Sequence, residues 1–416
     1  MLVFLCEMAV LTTPIALGSN SAHGSWRNLD WIMLVVVLVI AVWGCFTIRS
    51  ATLPREEGSL VRAIPGADVQ ATPPVSAESE RISDTTKQVA WVVIGFVAML
   101  ALALSNYQWL VHFQFGLYLL NIIFLLSIFI LPDSLAPVIN GAKSWIRLGP
   151  IALQPAEFCK FATIVSLAAF LARRQERIQE FSIFGLSLLY LAPALLLILK
   201  QPDFGTMLAV LAIWFGMLFF GGARLSHLAI VAVSGILLFG IVWQAGVLKP
   251  HQKERLAVFL ESDSSLSGSR EGYQIKQSQI AIGAGQLTGQ GYGKGIQNRS
   301  GHVPENKTDF IFTVVAEEYG FAGAVILLGL YFMLLFRTAM VANGTENYFG
   351  VLIAGGFTVL LAFHIIQNIG MTMRIMPITG VPLPFFSYGG SSFLAFSLCA
   401  GLLQSISLRR KRGGFT

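Results

Sequence analysis

Charge is what this sequence has least of. Asp, Glu, Lys and Arg make up 12% of its 416 residues, against roughly 25% in an ordinary soluble domain. A soluble enzyme is thereby excluded. Histidine is scarce, at six residues, and the four cysteines (Cys6, Cys45, Cys159 and Cys399) lie far apart in or beside apolar stretches. No pair has metal-ligand or disulfide-framework spacing, so they are read as small core hydrophobes. His112, His227 and His364 stand alone and are read as packed or hydrogen-bonded rather than as ligands. There is no HExxH motif, no GxSxG elbow and no heptad run, which removes the usual zinc hydrolases, serine esterases and coiled coils.

What is present is apolar sequence. Hydrophobic residues make up 55% of the chain, and mean hydropathy is +0.69. A bilayer-crossing helix takes about 20 such residues. Ten stretches are long enough: 31–48, 89–105, 108–131, 157–171, 182–199, 204–221, 226–247, 310–336, 347–370 and 386–407. The expected fold is all-α, one polytopic membrane domain over residues 1–416 with about ten transmembrane helices. Alternate connectors carry Arg173, Arg174, Arg177, Arg224 and Arg337, and Arg409, Arg410, Lys411 and Arg412 follow the last stretch. Basic residues mark the cytoplasmic side, so both termini are expected there. The net charge of +6 then needs no nucleic acid to explain it. Residues 1–17, apolar with Glu7 inside and no basic start, read as an interfacial segment rather than a signal peptide.

Two outer connectors are long. The first, about 50–87, mixes Pro54, Pro65, Pro73 and Pro74 with scattered charges and reads as a mobile loop. The second, about 248–309, lies between the seventh and eighth helices and holds eight Lys or Arg and six Asp or Glu. Loops of that length are functional or disordered, so the outer face is taken as the working face. Within it, Tyr273, Ile275, Ile280 and Ile282 alternate with amides and suit a helix lying at the membrane surface.

The same loop has seven glycines over 283–301. They do not form a Walker A loop, because Gly295 rather than Ser or Thr follows Lys294. The stretch reads either as a flexible linker or as a loop that lets a bulky substrate approach its backbone and Lys294. Next, Glu305, Lys307 and Asp309 lead into an apolar helix. Asp309 could cap that helix, or act as a general base at the lipid–water boundary, where a carboxylate pKa rises toward a useful value.

Further polar groups fall inside or beside apolar runs. Glu157 and Lys160 share one helical face at i, i+3, an ion pair or a site for an anionic lipid head. Lys143 and Arg147 flank Trp145, an interfacial composition that also suits phosphate. Gln201-Pro-Asp-Phe-Gly-Thr206 puts an acid between two runs, and Glu317-Glu318 cannot both ionise without a partner or cavity. Residues 377–392 hold three prolines and a Gly-Gly pair between spans. Non-helical backbone at that depth must pack against protein or line a cavity.

Segments 141–160, 201–206, 272–295, 304–318 and 368–392 together resemble the SEDS family (shape, elongation, division and sporulation), which includes RodA, FtsW and SpoVE. The run Pro-Leu-Pro-Phe-Phe-Ser-Tyr-Gly-Gly-Ser-Ser over 382–392 carries most of the resemblance, and Pro-Ile-Thr-Gly-Val-Pro-Leu-Pro before it is similar to the RodA branch rather than to FtsW. Residues 1–130 match mainly in hydropathy.

The resemblance implies a peptidoglycan glycosyltransferase. Such an enzyme polymerises lipid II at the outer face of the bacterial cytoplasmic membrane, for elongation and cell shape. It uses a divalent cation, Mg²⁺ or Mn²⁺, and a class B penicillin-binding protein as partner. The family's essential Asp, in Thr-Asp-Phe, falls on Asp309, and the Glu and Lys of Gln-Pro-x-Glu-x-x-Lys fall on Glu157 and Lys160. Glycan transfer needs a base for the acceptor hydroxyl and positive charge for the departing diphosphate. Asp309 is the candidate base or metal ligand, with Glu305 as the other candidate ligand. Lys160, Arg147, Lys307 and Arg255 are candidates on the phosphates, and Lys143, Glu157, Ser387 and Ser391 complete the candidate substrate-binding set. Lys307 departs from the family's usual His, residues 260–264 replace its usual Asp-Pro, and Arg374 stands where a small or apolar residue is common. A lipid-precursor flippase, which needs a polar path through the middle, and a non-catalytic scaffold that activates a transpeptidase are the competing readings.

Overall fold

A computed structural model describes residues 29–53, 77–138, 143–149, 151–244 and 270–409. The apolar start with Cys6, residues 54–76 of the first connector, Arg255, residues 260–264 and the basic tail Arg410, Lys411 and Arg412 lie outside the described residues. The helices are α1 (Trp31–Ala51), α2 (Ala77–Leu104), α3 (Leu110–Ile130), α4 (Pro155–Ala172), α5 (Phe181–Lys200), α6 (Phe204–Phe220), α7 (Leu225–Gln244), α8 (Arg270–Ala284), α9 (Ile296–Arg299), α10 (Ile311–Asn343), α11 (Tyr348–Thr372) and α12 (Gly390–Arg409). A hairpin, β1 (Ile146–Leu148) against β2 (Ile151–Leu153), precedes α4.

All ten predicted stretches fall on helices. Eight among the described residues are long and apolar enough to cross a membrane, and Phe204–Phe220 and Leu225–Leu237 are shorter apolar helices. The chain is an all-α multi-pass membrane protein.

Side-chain size decides which helices are central. The spanning windows of α4 and α12 are each 83% buried, against 22% for the outward-facing α2 and α3. Helix α4 is rich in small residues (Ala156, Ala162, Ser166, Ala168 and Ala169), which lets neighbours approach closely. Along the seam of α2 and α12, glycines sit directly under large groups. A Cβ would stand 2.1 Å from Trp91 at Gly390 and 2.6 Å from Phe393 at Gly95.

The first connector is shorter than its composition suggests. Helix α2 begins at Ala77, three turns before its apolar run, because 77–87 holds helix-compatible polar residues rather than breakers. Helix α8 forms as expected, but it is packed into the bundle: Ile275 is buried beside Ile378, and Ser278 Oγ donates to Thr372 O at 2.7 Å. Cys159 and Cys399 are buried free thiols and Cys45 is half-buried, as small core residues should be.

Candidate active site

Three segments converge on the re-entrant stretch 377–389. They are the start of α4, the turn at 201–203 and the approach to α10. Pro155 opens α4 at its first position and Glu157 lies in its first turn, both favoured there. Glu157 and Lys160 are buried, and Lys160 Nζ donates to Glu157 Oε1 at 2.7 Å. Glu157 Oε2 is left without a partner.

The acid expected between the fifth and sixth runs, Asp203, caps α6. Its Oδ1 accepts from Thr206 N at 2.9 Å, and its Oδ2 accepts from Thr206 Oγ1 at 2.9 Å and from Gln154 Nε2 at 3.0 Å. Desolvation raises its pKa above the ordinary carboxylate value, with the Thr206 hydrogen bonds opposing and the Glu157 charge adding to the rise. Gly205 lies against Thr379 O, so the capped end of α6 touches the re-entrant stretch.

Asp309 is half-buried at the mouth of α10. The N-cap position of that helix is Phe310, with no side-chain cap hydrogen bond. Gly380 faces Asp309: a Cβ there would stand 3.2 Å from Asp309 Oδ2, and the φ of +68° at Gly380 is itself a glycine conformation.

One face of α11 ties these groups together. His364 and Asn368, a turn apart, are both fully buried. Lys160 Nζ lies 3.2 Å from His364 Nε2, and His364 Nδ1 lies 3.0 Å from Pro382 O. Asn368 Nδ2 donates to Asp309 O and to Val381 O, each at 2.8 Å. Lys160 and the Asp309 backbone are thus held by neighbouring turns of one helix, which also bonds consecutive residues of one loop.

The two serines of the candidate set fasten that loop. Ser387 Oγ donates to Thr308 O at 2.6 Å and accepts from Leu383 N at 2.8 Å. Ser391 Oγ accepts from Gln154 N at 3.1 Å and donates to Ala152 O at 3.3 Å. Lys307 Nζ is paired with Asp84 of α2 at 2.6 Å. Lys143 pairs with Asp133, and Arg147 is exposed on the hairpin, whose neighbour Ser144 donates to Gln201 O. Glu305 is exposed, and its Oε2 accepts from Thr308 Oγ1 at 3.1 Å.

The glycine-rich stretch is docked against α10 rather than a flexible linker. Helix α10 breaks at Gly320 (φ 65°, ψ −161°). Gln290 N and Gly291 N donate to the carbonyls of Glu317 and Glu318, and Phe321 N and Ala322 N donate to Gln286 O and Leu287 O. The loop replaces the hydrogen bonds the helix gives up. Its glycines are needed for contact: a Cβ at Gly285 would stand 1.8 Å from Ala316 O, and one at Gly289 2.1 Å from Glu318 O. The amides reach acids. Glu317 accepts from Gln297 N, Asn298 N and Asn298 Nδ2, and Glu318 accepts from Gly293 N and Ser50 Oγ. Lys294 is exposed beside this dock.

Sequence reasoning missed His364 and Asn368 as site residues, because their partners lie 204 and 59 positions away. It noted Asp203 as an acid between runs without assigning it to the site. The signal available was a histidine and an asparagine four apart on a mostly apolar helix.

This is a multi-pass membrane protein in which Glu157, Lys160, Asp203 and Asp309 gather around a re-entrant loop. The FtsW/RodA/SpoVE family model, described as Cell cycle protein, matches residues 70–412. The chain belongs to that family. It is 33% identical to peptidoglycan glycosyltransferase RodA of Treponema pallidum, with 81% of this chain and 92% of that protein covered. It is 35% identical to stage V sporulation protein E of Bacillus subtilis, covering 77% and 86%. A solved chain from a peptidoglycan synthase complex, one described as coordinating polymerization and crosslinking, superposes with a TM-score of 0.73 at 29% identity, covering 93% of this chain and 100% of that one.

Proposed function

We propose that this chain is a peptidoglycan glycosyltransferase that polymerises lipid II at the outer face of the bacterial cytoplasmic membrane, in cell elongation, alongside a class B penicillin-binding protein. The enzyme class follows from the family. One observation carries the assignment of the site: Asn368 and His364, on adjacent turns of α11, bond the Asp309 backbone and Lys160 directly, and the same two side chains hold Val381 and Pro382. That brings a half-buried carboxylate and a buried ammonium to one loop, the two charges that glycosyl transfer requires.

In the reaction the acceptor sugar's 4-hydroxyl oxygen bonds to the donor's anomeric carbon. The anomeric carbon–oxygen bond breaks, and undecaprenyl diphosphate leaves with the electron pair. Asp309 takes the proton from the attacking hydroxyl. Lys160 contributes fixed positive charge from a water-poor interior, where it acts more strongly than at a surface. Arg147, exposed on the hairpin, is the candidate for the diphosphate at the mouth of the site.

A divalent cation fits this donor set in a limited way. Magnesium takes one or two carboxylates and completes its shell with waters and phosphate oxygens. Gly380, which has no Cβ, faces Asp309 Oδ2, and Glu305 Oε2 accepts a hydrogen bond from Thr308. Among the described residues no three His, Cys, Asp or Glu gather into a cage. Asp309 would be the main protein ligand and Glu305 the other candidate; when bound, the ion would neutralise charge on the diphosphate.

The test is polymerisation by purified protein with a class B penicillin-binding protein, lipid II, Mg²⁺ or Mn²⁺, and moenomycin to silence unrelated glycosyltransferases. A glycan ladder from wild type, absent from Asp309→Asn and after chelation, is the expected result. No ladder from folded wild type would overturn the reading in favour of transport or scaffolding.

A further inference from the structure

Lys307 stands two residues before the candidate base, and its charge invites a phosphate role. Its surroundings point elsewhere. Lys307 Nζ lies 2.6 Å from Asp84 Oδ2 and 5.5 Å from the centre of the Tyr388 ring, and Tyr388 Oη reaches Asp84 Oδ1 at 3.5 Å. The backbone is joined at the same place: Tyr388 N donates to Lys307 O at 2.9 Å, next to the Ser387 hydroxyl on Thr308 O. One turn along α2 from Asp84, buried Gln88 accepts from Gly389 N at 3.1 Å and donates to Ser387 O at 3.4 Å. Asp84 thus grips the side chains of Lys307 and Tyr388 and Gln88 the backbone of 387–389, where the two segments join next to Asp309.

We propose that Asp84 is a positioning residue for glycosyl transfer, and that Lys307 is its tether rather than a ligand for the leaving diphosphate. Helix α2 is a rigid anchor for this purpose, because Trp91 lies on Gly390 and Phe393 on Gly95 along the α2–α12 seam. The ion pair is partly exposed, with side-chain accessibilities of 36% for Lys307 and 22% for Asp84. Such pairs add little to global stability. Their effect is on geometry, and a displacement of about 1 Å at a reacting group can cost on the order of 100-fold in rate. The kinetic part rests on the glycosyltransferase reading given above.

The experiment uses full-length protein with its penicillin-binding partner and lipid II. It compares wild type, Asp84→Ala, Lys307→Ala and the exchanged pair Asp84→Lys with Lys307→Asp. The expected result is a fall in kcat of about 10- to 100-fold in either alanine variant, with KM within about twofold, and recovery of most of that loss in the exchanged pair. If Lys307 holds the diphosphate instead, Lys307→Ala raises KM, Asp84→Ala is harmless, and the exchanged pair, now with an acid facing phosphate, is the worst of the set; that pattern overturns the proposal. Hydrogen–deuterium exchange over 304–310 gives a readout independent of catalysis. Faster exchange in both alanine variants, restored in the exchanged pair, supports the tether even where wild type makes no glycan, and unchanged exchange rejects it.

Discussion

Lys160 Nζ lies 3.2 Å from Nε2 of His364, whose other ring nitrogen lies 3.0 Å from the Pro382 carbonyl oxygen. A carbonyl only accepts, so Nδ1 carries the proton and Nε2 presents its lone pair to the ammonium. The ring is neutral, and it links the central lysine to the loop beside Asp309.

Glutamine can imitate that arrangement, with an oxygen toward Lys160 and an amide toward Pro382. His364→Gln is expected to keep polymerisation within about fivefold of wild type. His364→Phe loses both hydrogen bonds, one of them to a charged group worth about 1.5–3 kcal/mol, and is expected to lose about 10- to 100-fold in kcat/KM. Rates measured at matched melting temperatures decide this; equal loss in both variants would mean that ring packing, not hydrogen bonding, is what matters.

Glycines at the dock and on α8 should respond in opposite directions. Gly289 has φ +81° and no room for a Cβ, whereas Gly283 has nothing within 4 Å. Gly289→Ala is expected to destabilise by about 2 kcal/mol or more. Gly283→Ala, in a helix, is expected to be neutral or stabilising by about 0.5–1 kcal/mol. Thermal unfolding in detergent would show the two shifts, and a harmless Gly289→Ala would contradict the docked loop.

Asp203 makes stability depend on pH in a definite direction. Its folded pKa is raised, with burial the largest cause. Folding therefore binds its proton more tightly than the unfolded chain does. This contribution is fully present below the ordinary Asp value of about 3.9 and is lost as pH rises through the folded value. Asp203→Asn has no such titration, so its melting temperature relative to wild type should improve as pH rises through the acidic range. A pH-independent offset between the two proteins would reject the shifted carboxylate.

The membrane-spanning architecture was legible because each helix announces itself locally, by a run of apolar residues such as 347–370. The short polar start of α2 was not, since helix-compatible polar residues between prolines and a span look the same as loop. Glu157 and Lys160 could be paired from spacing alone, at i, i+3. Glu317 and Glu318 could be flagged as needing partners, but those partners are backbone amides 19 to 25 positions upstream and the hydroxyl of Ser50. The docking of the glycines of 283–301 was not legible, because their partner is the helix they touch and one-dimensional spacing carries no trace of a break at Gly320. The structural partners of Ser387 and Ser391, Thr308 O and Ala152 O, were hidden for the same reason: they are distant in the chain.

The dock at Gly320 also bears on how this protein can be recombined with its relatives. Residues 286–291 complete the hydrogen bonding of a helix that lies beyond Asp309 in the chain. A chimaera that takes the outer loop from one relative and α10 from another would join two halves of one ladder with mismatched rungs. The region 283–322 therefore holds both halves of that ladder, and the candidate base travels within it.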